Sequence, residues 1–126
     1  MKREEGDDSF DVLFHDALDD EVFKALSDVH RRAVIYYLLE VEATSLDELL
    51  DVVTGWLHVE GDRMATREDR IRIERAFYHW HLSKLLDAEL IHYDEPDRRV
   101  ELADLSEPER ALVEWSYDRE FGRDCT

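Results

Sequence analysis

The 126-residue chain contains one cysteine, two prolines, four glycines and three lysines. The single Cys125 excludes an intrachain disulfide and a cysteine-based zinc site. The longest uninterrupted apolar run, Ala33 to Leu39, is seven residues, far below the roughly 20 needed to span a bilayer. Met1-Lys2-Arg3-Glu4-Glu5 leads into Gly6-Asp7-Asp8 and not into an apolar signal segment, so a cytoplasmic protein without membrane contact is expected. There is no glycine-rich phosphate loop, no GxSxG elbow and no cysteine with a histidine-based activation pattern, so no enzymatic step is expected. Acid pairs carry no signal either, because 33 carboxylates in this length produce them by chance. His79 and His81 lie about 160° apart on a regular helix, and His15, His30, His58 and His92 show no HExxH-type spacing. Neither a metal nor a cofactor is implied.

What is present is acid and enough apolar residue for a core. Hydrophobic residues make up 44% of the chain, and a single domain of this size buries about two-thirds of its unfolded surface. The formal net charge is −17, from 33 Asp+Glu against 16 Lys+Arg, and 13 of those cations are arginine. An acidic, lysine-poor composition resembles proteins of salt-accumulating haloarchaea, although an ordinary acidic protein would share it. At molar salt the Debye length is about 3 Å, so exposed carboxylates repel one another little.

Along the chain, residues 1–8 read as a flexible N-terminus and 123–126 as a tail, with one domain over 9–122 between them. Phe10, Leu13, Phe14 and Leu18 recur at helical spacing after Ser9, giving a helix over 9–18. Val22, Phe23 and Leu26 form a short helix, and Ser27 is positioned to cap a third carrying Val34, Ile35, Leu38 and Leu39. Arg31 and Arg32 occupy that helix's first turn, where the helix dipole disfavours cations; the placement suggests a separate use, although simple tolerance at a surface position is the favoured reading. Ser45–Glu48 is a capping box opening a helix that ends near Gly55. Thr66-Arg67-Glu68-Asp69 starts a long helix running to about Ala88. Ile91, Tyr93, Val100 and Leu102 flank Asp94-Glu95-Pro96-Asp97 as a β-hairpin, and Ser106-Glu107-Pro108-Glu109 caps a last helix over 107–121. Helices followed by a two-stranded hairpin make the fold class mainly α with a small β-hairpin wing, a winged helix-turn-helix with extra N- and C-terminal helices.

Two stretches carry a family resemblance. Phe23-Lys24-Ala25-Leu26-Ser27-Asp28-Val29-His30-Arg31-Arg32-Ala33-Val34-Ile35 resembles the opening helix of ArsR-like repressors, where a Leu-Ser/Ala-Asp run precedes paired arginines. His81-Leu82-Ser83-Lys84-Leu85-Leu86-Asp87-Ala88-Glu89-Leu90-Ile91 resembles the end of their recognition helix and the turn into the wing. The whole pattern, over a core of residues 22–103, is similar to haloarchaeal winged-helix domains of largely unassigned function. Glu89 stands where the family often has glycine, and the His58–Arg70 insert lengthens the connection before the recognition helix.

The resemblance implies a homodimeric transcriptional regulator, by default a repressor, that binds double-stranded DNA through helix 67–88. Arg67, Arg70, Arg72 and Arg75 would hold phosphates or bases, Trp80 and Lys84 would lie near the groove floor, and Arg98 and Arg99 would contact backbone from the wing. The terminal helices would pair two copies through Phe10, Leu13, Phe14, Leu112, Trp115, Tyr117 and Phe121. No class of small-molecule effector follows from the sequence.

Charge distribution bears independently on the same helix. From Arg63 to Lys84 there are six cations and three anions, a segment of +3 that leaves −20 for the rest of the chain. Projected at about 100° per residue, Ile71, Tyr78, Leu82, Leu85 and Leu86 form the expected core face, with Ile73, Phe77, Trp80 and Lys84 on the opposite side. Two apolar faces leave a second reading open: a winged-helix protein-interaction module that does not bind DNA and uses Ile73, Phe77 and Trp80 to engage a partner.

Overall fold

The structure, a computed structural model, describes residues 20–58 and 64–122. Its elements in chain order are α1 (Asp20–Ala25), α2 (Val29–Val41), β1 (Ala43–Ser45), α3 (Leu46–Leu57), α4 (Arg67–Ala76), a π-helical segment (Phe77–His81), α5 (Leu82–Asp87), β2 (Ile91–Asp94), β3 (Arg99–Leu102) and α6 (Glu107–Phe121). The protein is mainly helical with a small antiparallel sheet in the order β1-β3-β2. The expected helix over 9–18, with Phe10, Leu13 and Phe14, and the terminal segments 1–8 and 123–126 lie outside the described residues, as does Arg63. Among the described residues no helix is long and apolar enough to cross a membrane.

Local chemistry sets most boundaries. Thr66 and Asp69 close a reciprocal capping box at α4, with Thr66 N–H donating to Asp69 Oδ2 at 2.8 Å and Asp69 N–H to Thr66 Oγ1 at 3.1 Å. Ser106 and Glu109 do the same at α6. At α3 only half of the expected box forms: Ser45 accepts from Glu48 N–H, while the Glu48 carboxylate instead accepts from the Tyr37 hydroxyl. Gly55 does not end α3, which continues to Leu57. Ser27 does not cap α2 either. Asp28 is the cap, accepting from His30 N–H at 2.7 Å, and the Ser27 hydroxyl donates to Lys24 O.

Arg31 and Arg32 turn away from the α2 dipole toward the carbonyls that α1 leaves open at its end. Arg31 donates to Ala25 O at 2.7 Å and Lys24 O at 3.1 Å, and Arg32 to Leu26 O at 2.9 Å. Surface tolerance, the favoured reading of their position, does not hold for Arg31, which is buried; the separate use is to cap these carbonyls.

The core joins Ile35 and Leu38 of α2, Leu46, Leu49, Leu50 and Val53 of α3, Ile73, Phe77 and Leu85 of the long helical stretch, and Ile91 and Val100 of the sheet. The expected uninterrupted helix over 67–88 is broken at Phe77–His81 by five π-helical residues. Leu85, and Leu82 in part, pack inward as expected, but over α4 and the π-segment the core face is opposite to that expected. Phe77 is 2% exposed and Ile73 8%, whereas Ile71 is 44% and Leu86 40% exposed. Asp69, Ile73, Phe77, His81 and Leu85 are the buried positions of this stretch, a period of four. On an α-helix that period drifts by about 40° per repeat. The wider π-segment absorbs the drift and keeps the stripe on the core. A fixed helical projection that scores only apolar residues cannot find a stripe containing Asp69 and His81.

The hairpin forms as expected, but its turn is Glu95–Arg98, one residue later than expected, because Asp94 pairs with Arg99 in the sheet; β1, which was not expected, extends it to three strands by pairing Ala43 with Glu101 and Thr44 with Val100. The end of α5 folds back through Glu89, whose φ of 59° is left-handed. Glu89 N–H donates to Leu86 O at 3.0 Å and Leu90 N–H to Leu85 O at 3.1 Å, the two bonds of a Schellman turn. That turn directs the chain into β2.

Candidate nucleic-acid interface

On α4, Arg67, Glu68, Ile71, Arg72 and Arg75 fall within an arc of about 140°, and all five are exposed. They are opposite the Ile73–Phe77 stripe. An open depression of ≈ 430 Å³ continues this surface, lined by Ile71, Glu74, Arg75, Tyr78 and His79. Trp80 lies beyond it, 59% exposed, with His79 edge-on at 4.6 Å between ring centroids. Lys84 is exposed on α5. Of the residues read as a second apolar face, only Trp80 and Lys84 are outside; Ile73 and Phe77 belong to the core, so neither can serve a partner.

The arginines divide into two groups. Arg70 is enclosed by carboxylates, donating to Asp51 Oδ1 and Glu74 Oε1 at 2.7 Å each, with Asp47 Oδ1 at 3.4 Å. Arg98, which takes a left-handed φ of 51° in the hairpin turn, donates to Asp47 Oδ1 at 2.9 Å and the Tyr78 hydroxyl at 2.9 Å, with Glu74 Oε2 at 3.4 Å. Hydrogen bonding to Arg98, with Arg70 adding, holds the Asp47 carboxyl below its usual range, and the same bond raises the already high pKa of Arg98. Two cations and three carboxylates thus form a clamp that fastens the hairpin turn to α3 and α4.

The second group faces water. The Arg72 side chain is 66% exposed, and one of its nitrogens lies 3.2 Å from Asp69 Oδ1. Arg67, Arg75, Lys84 and Arg99 are exposed, and none has an ion pair among the described residues. Exposed cations beside exposed apolar surface can hold phosphate oxygens and approach base edges. Arginine adds paired donors that fit guanine.

A further cluster escaped the sequence. Asp28, His30 and His81 offer one ligand atom each within 4.8 Å of one another. His81 is buried, its ring stacked on His30 at 5.3 Å, and its Nδ1 accepts from Arg31 Nη1 at 3.0 Å. Burial pushes the His81 imidazole down to about 4, with His30 and Arg31 adding and Asp28 opposing. Asp28 and His30 are two residues apart and His81 lies 51 positions beyond His30, so no spacing rule could unite them.

The C-terminal helix α6 buries one residue, Val113. Trp115, Tyr117 and Phe121 are exposed and Leu112 half-buried. Arg119 lies 5.2 Å over the Trp115 ring. Arg32 clamps the helix with two bonds to the Glu120 carboxylate, at 2.8 and 3.0 Å, and Tyr36 donates to Glu120 Oε1 at 2.8 Å.

A family model described as a domain of unknown function (DUF7344) matches residues 23–101. No curated protein and no solved structure matches the chain significantly.

Proposed function

The chain belongs to that family of domains of unknown function, and we propose that it is a winged helix-turn-helix DNA-binding protein, a homodimeric transcriptional repressor adapted to high salt. In this reading α4 through α5 is the recognition helix and β2–β3 the wing, as in the ArsR-like repressors that the sequence resembles. The observation that carries it is the division of the arginines into a clamped group and an exposed one. Arg67, Arg72 and Arg75 stand free of the carboxylate clamp beside exposed Ile71 and Tyr78, while Arg70 is consumed in joining α4 to α3 and Arg98 in holding the hairpin to both.

Contact with DNA then runs as follows. Arg67, Arg72, Arg75 and Lys84 hold phosphates or guanine edges, Ile71 and Trp80 offer apolar contact to thymine methyls, and Arg99 touches backbone from the wing. Arg70 and Arg98 position the wing. At molar salt the counterion-release gain is small, so affinity must come from base contacts, shape and apolar surface. The outer surface of α6, with exposed Trp115 and the exposed parts of Tyr117 and Phe121 and with Leu112 half-buried at its base, pairs two copies and sets their recognition helices about 34 Å apart, one turn of DNA. Occlusion of a promoter follows without cofactor or catalysis.

The test is a titration with fragments of the protein's own promoter at molar KCl. Saturable binding is expected, with Arg72→Glu/Arg75→Glu abolishing it. Failure of the unmodified protein to bind any genomic fragment would refute the reading. The second reading, a protein-interaction module, is favoured by the exposed Trp80, Ile71 and Tyr78, and it predicts capture of a protein partner that Trp80→Ala loses.

A further inference from the structure

We propose that Asp28, His30 and His81 form a site for one divalent transition-metal ion of the zinc class, joining the start of α2 to the π-segment of the long helix. Their ligand atoms already lie within 4.8 Å of one another. His30 Nδ1 and Asp28 Oδ1 are 3.2 Å apart. Two atoms bound about 2.0 Å from one tetrahedral ion sit about 3.3 Å apart, so this edge of the site has the required length. The His30 and His81 rings are within 13° of parallel, and a tilt of the half-exposed His30 ring brings its nitrogen toward the third ligand.

The donor set selects the ion. Two imidazoles with one carboxylate suit zinc, cobalt or nickel, whereas magnesium and calcium take all-oxygen sites. Asp28 retains acceptor capacity after accepting the His30 N–H, because a carboxylate has about four lone-pair sites. The fourth position falls to water, His30 and Asp28 being only part-buried.

One existing bond must yield. A guanidinium only donates, so the His81 Nδ1 that faces Arg31 is an acceptor and the ring proton sits on Nε2. An ion on Nε2 moves that proton to Nδ1, where it confronts Arg31; an ion on Nδ1 displaces Arg31 directly. In both cases Arg31 leaves His81 and keeps the carbonyls of Ala25 and Lys24. Metal binding therefore exchanges the Arg31–His81 hydrogen bond for a metal–nitrogen bond, and its site is the π-segment that carries Trp80.

The experiment titrates the whole chain with Zn2+ by calorimetry and with Co2+ by visible absorption, in molar KCl with excess Mg2+ to occupy surface carboxylates. No DNA is present, so the outcome is independent of the DNA-binding reading. One ion per chain is expected, with cobalt bands of a nitrogen-containing site. His30→Ala, at a half-exposed position, and Asp28→Ser, which keeps an N-cap oxygen, should each weaken binding at least about tenfold. Metal-free melting curves will verify that both variants fold. Absence of a one-per-chain site, or a site indifferent to both substitutions, overturns the proposal.

Discussion

If the arginines are divided as the geometry indicates, the salt dependence of DNA binding will count them. On the proposed DNA face five cations per protomer are exposed and outside the clamp: Arg67, Arg72, Arg75, Lys84 and Arg99. Each phosphate contact contributes about −0.9 to the slope of log K against log[salt], so ten contacts in a dimer give a slope of about −9 at most. Were Arg70 and Arg98 also on phosphates, fourteen contacts would give about −13. Individual substitutions sharpen the distinction. Arg75→Ala removes one contact per protomer and should make the slope shallower by about 2.

The informative comparison is Arg70→Gln combined with Asp51→Asn, which deletes an ion pair of 2.7 Å and leaves the net charge unchanged. It should leave the slope unaltered within error while lowering the melting temperature, because the double change removes the α3–α4 arm of the clamp. Fluorescence anisotropy of one labelled promoter fragment over a series of KCl concentrations measures both slopes. A double variant whose slope falls as far as that of Arg75→Ala would show Arg70 on DNA and refute the division.

Two further outcomes follow from the fold. Glu89 occupies a left-handed conformation that costs an L-residue about 1–2 kcal/mol, and its carboxylate lies at the unfavourable end of the helix dipole. Offset by the greater unfolded freedom of glycine, Glu89→Gly should stabilise by about 1 kcal/mol, raising Tm by about 3–5 °C; Glu89→Ala keeps the strain and should gain less, so equal shifts for the two would refute the strain argument. Hydrogen bonds from Arg32, and next from Tyr36, hold Glu120 below its usual value of 4.5 against the effect of burial. A depressed carboxyl stabilises the fold above its unfolded pKa and loses that contribution as pH falls through the folded value. Tm measured from pH 6 downward should therefore fall more steeply below about 4.5 in the parent protein than in Glu120→Gln, and parallel curves would show the pair contributes nothing to acid sensitivity.

The helix starts were legible because capping is local: Thr66 with Asp69 and Ser106 with Glu109 lie three residues apart and close as their sequence spacing indicates. The hairpin was legible for the same reason, its turn residues lying between two apolar pairs. Strand β1 was not, since three residues have no periodicity of their own and Ala43–Ser45 become a strand only when β3 is beside them. The candidate site was half legible. Clustering of arginine on 67–75 was visible as charge, but which cations remain free depends on Asp47 and Asp51, which another helix supplies. The inverted core face of the long helix has the same origin. Its stripe is completed by Asp69, which serves a cap, and His81, which serves Arg31, so hydropathy assigns the wrong side over α4 and the π-segment and finds only Leu85 and Leu82 of α5. Local sums of charge and hydropathy locate this helix correctly and orient it wrongly, because its orientation is set by polar side chains whose partners are distant in the chain. The +3 segment that made α4 a candidate is accordingly a weaker guide than the identity of the cations its neighbours leave exposed.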